Sequence, residues 1–236
     1  MFKKYKFFAV VVLLIISPGA FSQQKEGARF LSYIAAPSDI TLYWKDDAGK
    51  ILSSIQNLKL FVEGKNKELK FAMNGGMYNK DNSPQGLFIE NSVICSSLDT
   101  LSGSGNFYMK PNGIFYLMQN DSAVICKTTD FKDSGQIKFA TQSGPMLLVD
   151  GRVHPAFKKG SANLNIRNGV GILPDGNVIF AISTQEVNFY DFALFFKSMN
   201  CENALYLDGF VSRAYMPDSD WKQLDGNFGV MIGVTK

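Results

Sequence analysis

Asn203-Ala204-Leu205-Tyr206-Leu207-Asp208-Gly209 is the stretch around which the rest of the chain is read. A helical, aromatic-rich pattern gives way here to a short apolar run that ends on one acid and a glycine. Burying an unpaired carboxylate costs on the order of several kcal/mol or forces a large pKa shift, so an acid closing a buried strand needs a partner or a task. Asp-Gly is also ordinary turn chemistry. The flanking segments decide between the two readings.

Upstream, Val187 to Met199 has the marks of a helix. Asn188 suits the N-cap, Asp191 sits where an acid favours a helix N-terminus, and Phe189, Phe192, Ala193, Phe196 and Met199 recur on one face. Phe195 widens that stripe, so the helix is expected to pack on a sheet and to deliver the chain into a strand ending at Asp208. Before it, Asn165 to Ile172 and Val178 to Ser183 flank the turn Pro174-Asp175-Gly176-Asn177, a hairpin pattern. Arg167 enters that hairpin with a planar fork suited to a phosphate or carboxylate; a salt bridge is the plainer reading, and Arg152 and Arg213 compete for the same role.

The N-terminal half reads as strands at Arg29–Ile34 and Ile40–Trp44 and a helix from Ile51 to Val62. A further strand, Leu69–Met73, runs into Asn74-Gly75-Gly76-Met77-Tyr78. Two glycines at a strand end permit unusual backbone conformations and close approach of a ligand to the main chain. Short strands separated by Pro111-Asn112-Gly113 and Gln119-Asn120-Asp121-Ser122 then suggest a meander. The expected fold is α+β: one domain over residues 23–236, with a largely antiparallel or mixed sheet packed by one or two main helices.

His154 is the sole histidine, and with no second histidine or nucleophile elbow it reads as a structural or substrate-contacting residue rather than part of a triad. Cys95, Cys126 and Cys201 form an odd set in which Cys95 and Cys126, each closing a strand-like run, are candidates for a disulfide. No cysteine or histidine spacing suggests a structural zinc.

The first 22 residues have the pattern of an export signal: Lys3, Lys4 and Lys6, an apolar run from Phe7 to Ile16, and small residues at Ala20 and Ser22. Ten apolar residues are too short for a membrane-spanning helix, which needs about 20. Without a cysteine near the cleavage point, a lipid anchor is not expected. Subtracting those three lysines from the 24 Lys plus Arg leaves a balance with 21 acids, which favours neither nucleic-acid nor membrane-surface binding. A periplasmic or secreted protein, off the membrane once the signal is cleaved, is the expectation; its oligomeric state is open.

Taken together, Asn74-Gly75-Gly76-Met77-Tyr78, Ser143-Gly144-Pro145 with Val149-Asp150-Gly151, Arg167 with Gly169-Val170-Gly171, and Leu205-Tyr206-Leu207-Asp208-Gly209 resemble, in this order, the motifs of the phosphodiester glycosidase family. That family includes the lysosomal uncovering enzyme, and the resemblance spans roughly residues 69–234. It implies cleavage between a sugar's anomeric carbon and a phosphate oxygen, on a carbohydrate or sugar-phosphate substrate. Asp208 and Arg167 would be the catalytic pair, with Asn74, Gly75, Gly76, His154, Gly209 and Ser212 around the substrate. Asn74 would contact sugar hydroxyls or orient Asp208, and the amides of Gly75 and Gly76 would add donors to the phosphate. No cofactor is required; a divalent cation near Asp208 fits the chemistry without any ligand spacing demanding it. Asp150 and Glu186 are read as turn and surface residues. Where the family commonly has glycines after the acid, this chain has Phe210 and Val211, which bears on specificity. A non-catalytic glycan-binding or envelope-assembly protein is the competing class.

Overall fold

The computed structural model describes residues 28–208 and 211–236; the expected export signal, Gly209 and Phe210 lie outside them. Among the described residues, sixteen strands form three sheets, and every pairing is antiparallel. The first sheet has the order β1 (Phe30–Ala35), β12 (Val178–Ser183), β11 (Asn168–Ile172), β13 (Ala204–Asp208), β9 (Met146–Val149), β10 (Arg152–Val153). The second runs β15 (Trp221–Lys222), β14 (Ala214–Met216), β3 (Leu69–Asn74), β16 (Met231–Thr235), β2 (Ile40–Tyr43). The third runs β5 (Val93–Ser96), β4 (Phe88–Glu90), β8 (Ile137–Ser143), β6 (Gly113–Met118), β7 (Ala123–Lys127).

The described residues are therefore mostly β, with two α-helices, and the expected meander is divided among three sheets. One apolar core takes side chains from all three: Leu31, Phe180 and Leu207 from the first, Phe71 and Ile232 from the second, Phe115 and Phe139 from the third. Rings extend this core, with Phe71 stacked on Phe180 at 5.0 Å and Phe115 edge-on to Phe180 at 6.1 Å. Opposite faces of the first two sheets are covered by one helix each.

Helix α2 (Phe189–Ser198) follows the sequence closely: the Asn188 side chain caps it by accepting the Asp191 N–H, and Phe192, Ala193 and Phe196 are buried against Leu147, Ile179, Ala204 and Tyr206. Helix α1 (Ile55–Glu63) starts four residues later than expected. Ser53 takes a positive φ of 63°, which breaks the helical run, and Ser54 caps the helix by accepting the Asn57 N–H. Ile51 instead makes an isolated bridge to Lys45.

The expected disulfide is corrected: all three cysteines are free. Cys95 lies on β5 and Cys126 on β7, the two opposite edges of the third sheet. Four strand spacings put them roughly 19 Å apart, far beyond the reach of a disulfide. Burial raises the Cys126 thiol pKa to about 11, with the charge of Asp130 adding to it, so it behaves as a small inert apolar group.

Candidate functional site

One strand end from each sheet converges on Asp208. The first sheet brings Asp208 itself and, directly across in register, Asn168; the pairing shifts between Asn168 and Gly169, a local irregularity of the kind that redirects side chains at sheet ends. From the second sheet comes Asn74, the last residue of β3. The third contributes Ser143, the last residue of β8, whose hydroxyl donates to the Leu207 carbonyl at 2.9 Å and so fixes the strand that carries the acid.

Asp208 is 4% exposed, and Asn74 and Asn168 are fully buried. Asn74 Nδ2 donates to Asp208 Oδ2 at 2.8 Å. The other half of the same carboxamide, Asn74 Oδ1, accepts from Asn168 Nδ2 at 3.0 Å and from the Arg213 backbone N–H at 2.9 Å. Two donors on one oxygen fix the amide orientation, so its NH2 faces the carboxylate. Asn168 Nδ2 also donates to the Asn74 main-chain carbonyl at 2.9 Å, and the Ser212 hydroxyl approaches Asn168 Oδ1 at 3.4 Å and the Ile166 carbonyl at 3.2 Å. The result is a relay of fixed polarity running from Ser212 through Asn168 and Asn74 to Asp208. Tyr78 lies close enough to feel the acid: burial first, and then the Asp208 charge, raises its hydroxyl pKa, so the phenol keeps its proton at neutral pH.

Of the residues singled out from sequence, Asn74, Asp208 and Ser212 are brought together here, and Gly209 lies outside the described residues. Gly75 and Gly76 sit at the expected bend but act through space rather than through unusual dihedrals, since neither has a positive φ. A Cβ on Gly75 would meet Ile232 Cγ1 at 2.6 Å, and one on Gly76 would meet Thr141 Oγ1 at 2.5 Å. The Gly75 amide, expected to face a phosphate, donates to the Val230 carbonyl at 2.8 Å.

Arg167 is placed differently from its expected role. It is fully buried, its Nε donates to Val187 O at 2.8 Å, Nη1 to the Tyr206 hydroxyl at 3.3 Å, and Nη2 to Asn163 O at 3.0 Å and Asn163 Oδ1 at 3.1 Å. Its guanidinium lies 3.6 Å over the Phe189 ring. The fork offered to a ligand is filled from within the chain.

His154 is likewise closed. It is 2% exposed, Nδ1 accepts the Ala156 N–H at 3.2 Å, and Nε2, which must then carry the proton, donates to Lys110 O at 3.1 Å. His154 stacks on Phe157, and Phe157 on Phe189, so one ladder of stacked groups runs from His154 to Arg167.

Asn168 is the residue of this network that the sequence did not single out, and Arg213, named there only as a competitor of Arg167, joins it through its backbone N–H. A polar amide inside an apolar strand was the available signal for Asn168, hidden beside the more conspicuous Arg167. Among the described residues no group of three or more His, Cys, Asp or Glu side chains gathers as a metal site. No helix there is long and apolar enough to cross a membrane.

The architecture defines a β-rich fold with one buried, amide-held carboxylate at the junction of three sheets. Residues 67–233 match the family model described as phosphodiester glycosidase, and the chain belongs to that family. It is 40% identical over 178 residues to the uncharacterized protein YigE of Escherichia coli (strain K12), covering 75% of this chain and 69% of that protein. Among solved structures it resembles the catalytic domain of zebrafish N-acetylglucosamine-1-phosphodiester alpha-N-acetylglucosaminidase, auto-inhibited by its pro-peptide. The TM-score is 0.58 at 14% identity, over 87% of this chain and 82% of that one. An exported-protein candidate of Burkholderia pseudomallei K96243 aligns with a TM-score of 0.57 at 10% identity, over 87% and 73% of the two chains. At these identities the structural likenesses establish the fold.

Proposed function

We propose that this protein is an exported hydrolase that cleaves sugar-1-phosphodiesters, with Asp208 as its catalytic carboxylate. Family membership supports a glycosidase-like hydrolase acting on a carbohydrate-type substrate. The observation that carries the assignment to Asp208 is the 2.8 Å hydrogen bond from a buried carboxamide whose orientation is fixed by two further donors. Such an arrangement holds one carboxylate oxygen still and gives it a fixed donor, the positioning that a base or nucleophile needs.

In this reaction the bond between the anomeric carbon and the phosphate oxygen breaks, and its electrons leave with the phosphomonoester. The developing positive charge at the anomeric carbon faces Asp208, which either adds to it, forming a glycosyl ester that water then hydrolyses to free the sugar and the carboxylate, or takes a proton from the water that adds directly. A phosphomonoester is a weakly basic leaving group, so a second carboxylate acting as a strong acid is not required. Ser143 and Asn74 hold the strand end and the acid in place. The export assignment rests on the lysine-flanked apolar segment at the start of the sequence.

Turnover of a glucose 1-phosphodiester, followed by the conversion of its 31P signal from diester to monoester, with and without EDTA, tests this reading. Conversion supports it, and loss of conversion in EDTA adds a divalent cation to the site. Binding of the diester without conversion favours a glycan-binding module instead.

A further inference from the structure

We propose that Arg213, not Arg167, recognises the substrate's phosphate, an inference that rests on the sugar-phosphodiester reading above. Four arginines lie among the described residues: Arg29, Arg152, Arg167 and Arg213. Arg29 pairs with Asp191 at the start of α2, and Arg152 is exposed on the edge strand β10. The Arg167 side chain is fully buried, and each of its three nitrogens already donates to a partner inside the protein. Arg213 alone combines a direct tie to the acid's hydrogen-bond network with exposure to solvent.

That tie is short. The Arg213 backbone N–H bonds Asn74 Oδ1 at 2.9 Å, and Nδ2 of the same carboxamide bonds Asp208. Only one planar amide group therefore separates the Arg213 main chain from the carboxylate. The side chain is about one-third exposed (32%). Its Nε reaches both oxygens of Asp225, at 2.9 and 3.0 Å, and Nη1 donates to Ser212 O at 3.0 Å. Nη2 has no partner among the described residues. The guanidinium is thus held on two sides and leaves donors on a third, a pre-ordered cation of the kind that binds phosphate with little further ordering.

Asp225 limits the attraction for a loose anion without cancelling it, because the acid is 64% exposed and its charge is screened by water. A weak standing attraction favours a ligand whose sugar is also held, over free phosphate. The protein would in this way select a phosphate that is attached to something.

The test is binding of glucose 1-phosphate and of inorganic phosphate, by calorimetry, to the wild-type protein and to Arg213→Ala, Arg213→Lys and Arg152→Ala. Arg213→Ala is expected to weaken glucose 1-phosphate roughly tenfold to hundredfold, the size of a charge-assisted hydrogen bond. The lysine variant, with charge but no fork, falls between, Arg152→Ala matches wild type, and inorganic phosphate binds more weakly than glucose 1-phosphate throughout. If Arg213→Ala fails to fold, Arg213→Gln, which keeps most of the stem, takes its place. Unchanged affinity in the folded variant, or no binding of either probe by wild type, overturns the proposal. Wild-type turnover of a diester together with unchanged binding by Arg213→Ala would leave the hydrolase reading standing and remove this one. Loss of glucose 1-phosphate binding at Arg213 in a protein without turnover would do the reverse.

Discussion

Asn74 Nδ2 lies 2.8 Å from Asp208 Oδ2, joining the last residue of a strand in one sheet to the last residue of a strand in another. The same side chain takes two donors on its oxygen, so it serves as the hub of the site. Asn74→Ala leaves the Asn168 amide, the Arg213 N–H and one carboxylate oxygen without this partner. The expected outcome is a fall in turnover of at least about tenfold and a stability loss of about 2–4 kcal/mol by urea denaturation, from buried groups left unmatched. A variant with wild-type turnover and stability would show that the hub is dispensable.

Asn168→Asp is nearly the same shape but replaces the NH2 that faces Asn74 with an acceptor. Two carbonyl oxygens of Asn74 would then face a carboxylate oxygen, so the relay loses its polarity. We expect the melting temperature to fall and turnover to drop. Asn168→Ala, which creates no oxygen–oxygen contact, should retain more of both. An aspartate variant equal to wild type in both measurements would count against the relay.

Arg167→Met keeps volume while removing the bonds to Val187, Asn163 and Tyr206. A loss of about 3 kcal/mol in denaturant unfolding is expected, since four acceptors lose a charged donor and two of them, Val187 O and the Tyr206 hydroxyl, are buried. At temperatures where the variant is folded, KM for a phosphodiester should stay near the wild-type value. A large rise in KM with little loss of stability would return the phosphate to Arg167.

His154 supplies a pH dependence. Burial holds its pKa below the ordinary imidazole value, opposed by its hydrogen bond to Lys110 O. The unfolded chain, with an imidazole pKa of about 6.5, then binds the proton more readily than the native state. Stability from this group is fully present above that value. It declines as the pH falls below it toward the lower native-state pKa. Because this is the sole histidine, the urea midpoint between pH 7.5 and 5.5 isolates it. Wild type should lose stability across that window and His154→Gln should lose less; parallel curves would show that His154 does not titrate there.

How much of this was legible in the sequence depended on whether the cause was local. Helix α2 could be read because its cap at Asn188 and its apolar spacing are set within a dozen residues. The hairpin of β11 and β12 could be read from its turn, and Asp208 from the contrast between an apolar strand and the acid that ends it. The division into three sheets could not, because short antiparallel strands carry the same alternation whichever partner they take. The placement of Arg167 could not be read for a related reason: an arginine bonded to main-chain carbonyls of residues 163 and 187 looks the same, in sequence, as one reaching for a ligand. Asn168 and Arg213 gained their places from contacts with Asn74, across 94 and 139 residues, which no local pattern encodes.

In the proposed reaction Asp208 drives cleavage on the sugar side of a phosphodiester. Hydrolysis of a glucose 1-phosphodiester in 18O-labelled water, by wild type and by Asp208→Asn, tests it most directly. The expected result is a phosphomonoester product free of 18O, because water adds to the anomeric carbon, and a loss of at least about 10²-fold in rate for the folded asparagine variant. Label in the phosphate, or an asparagine variant as fast as wild type, would contradict it.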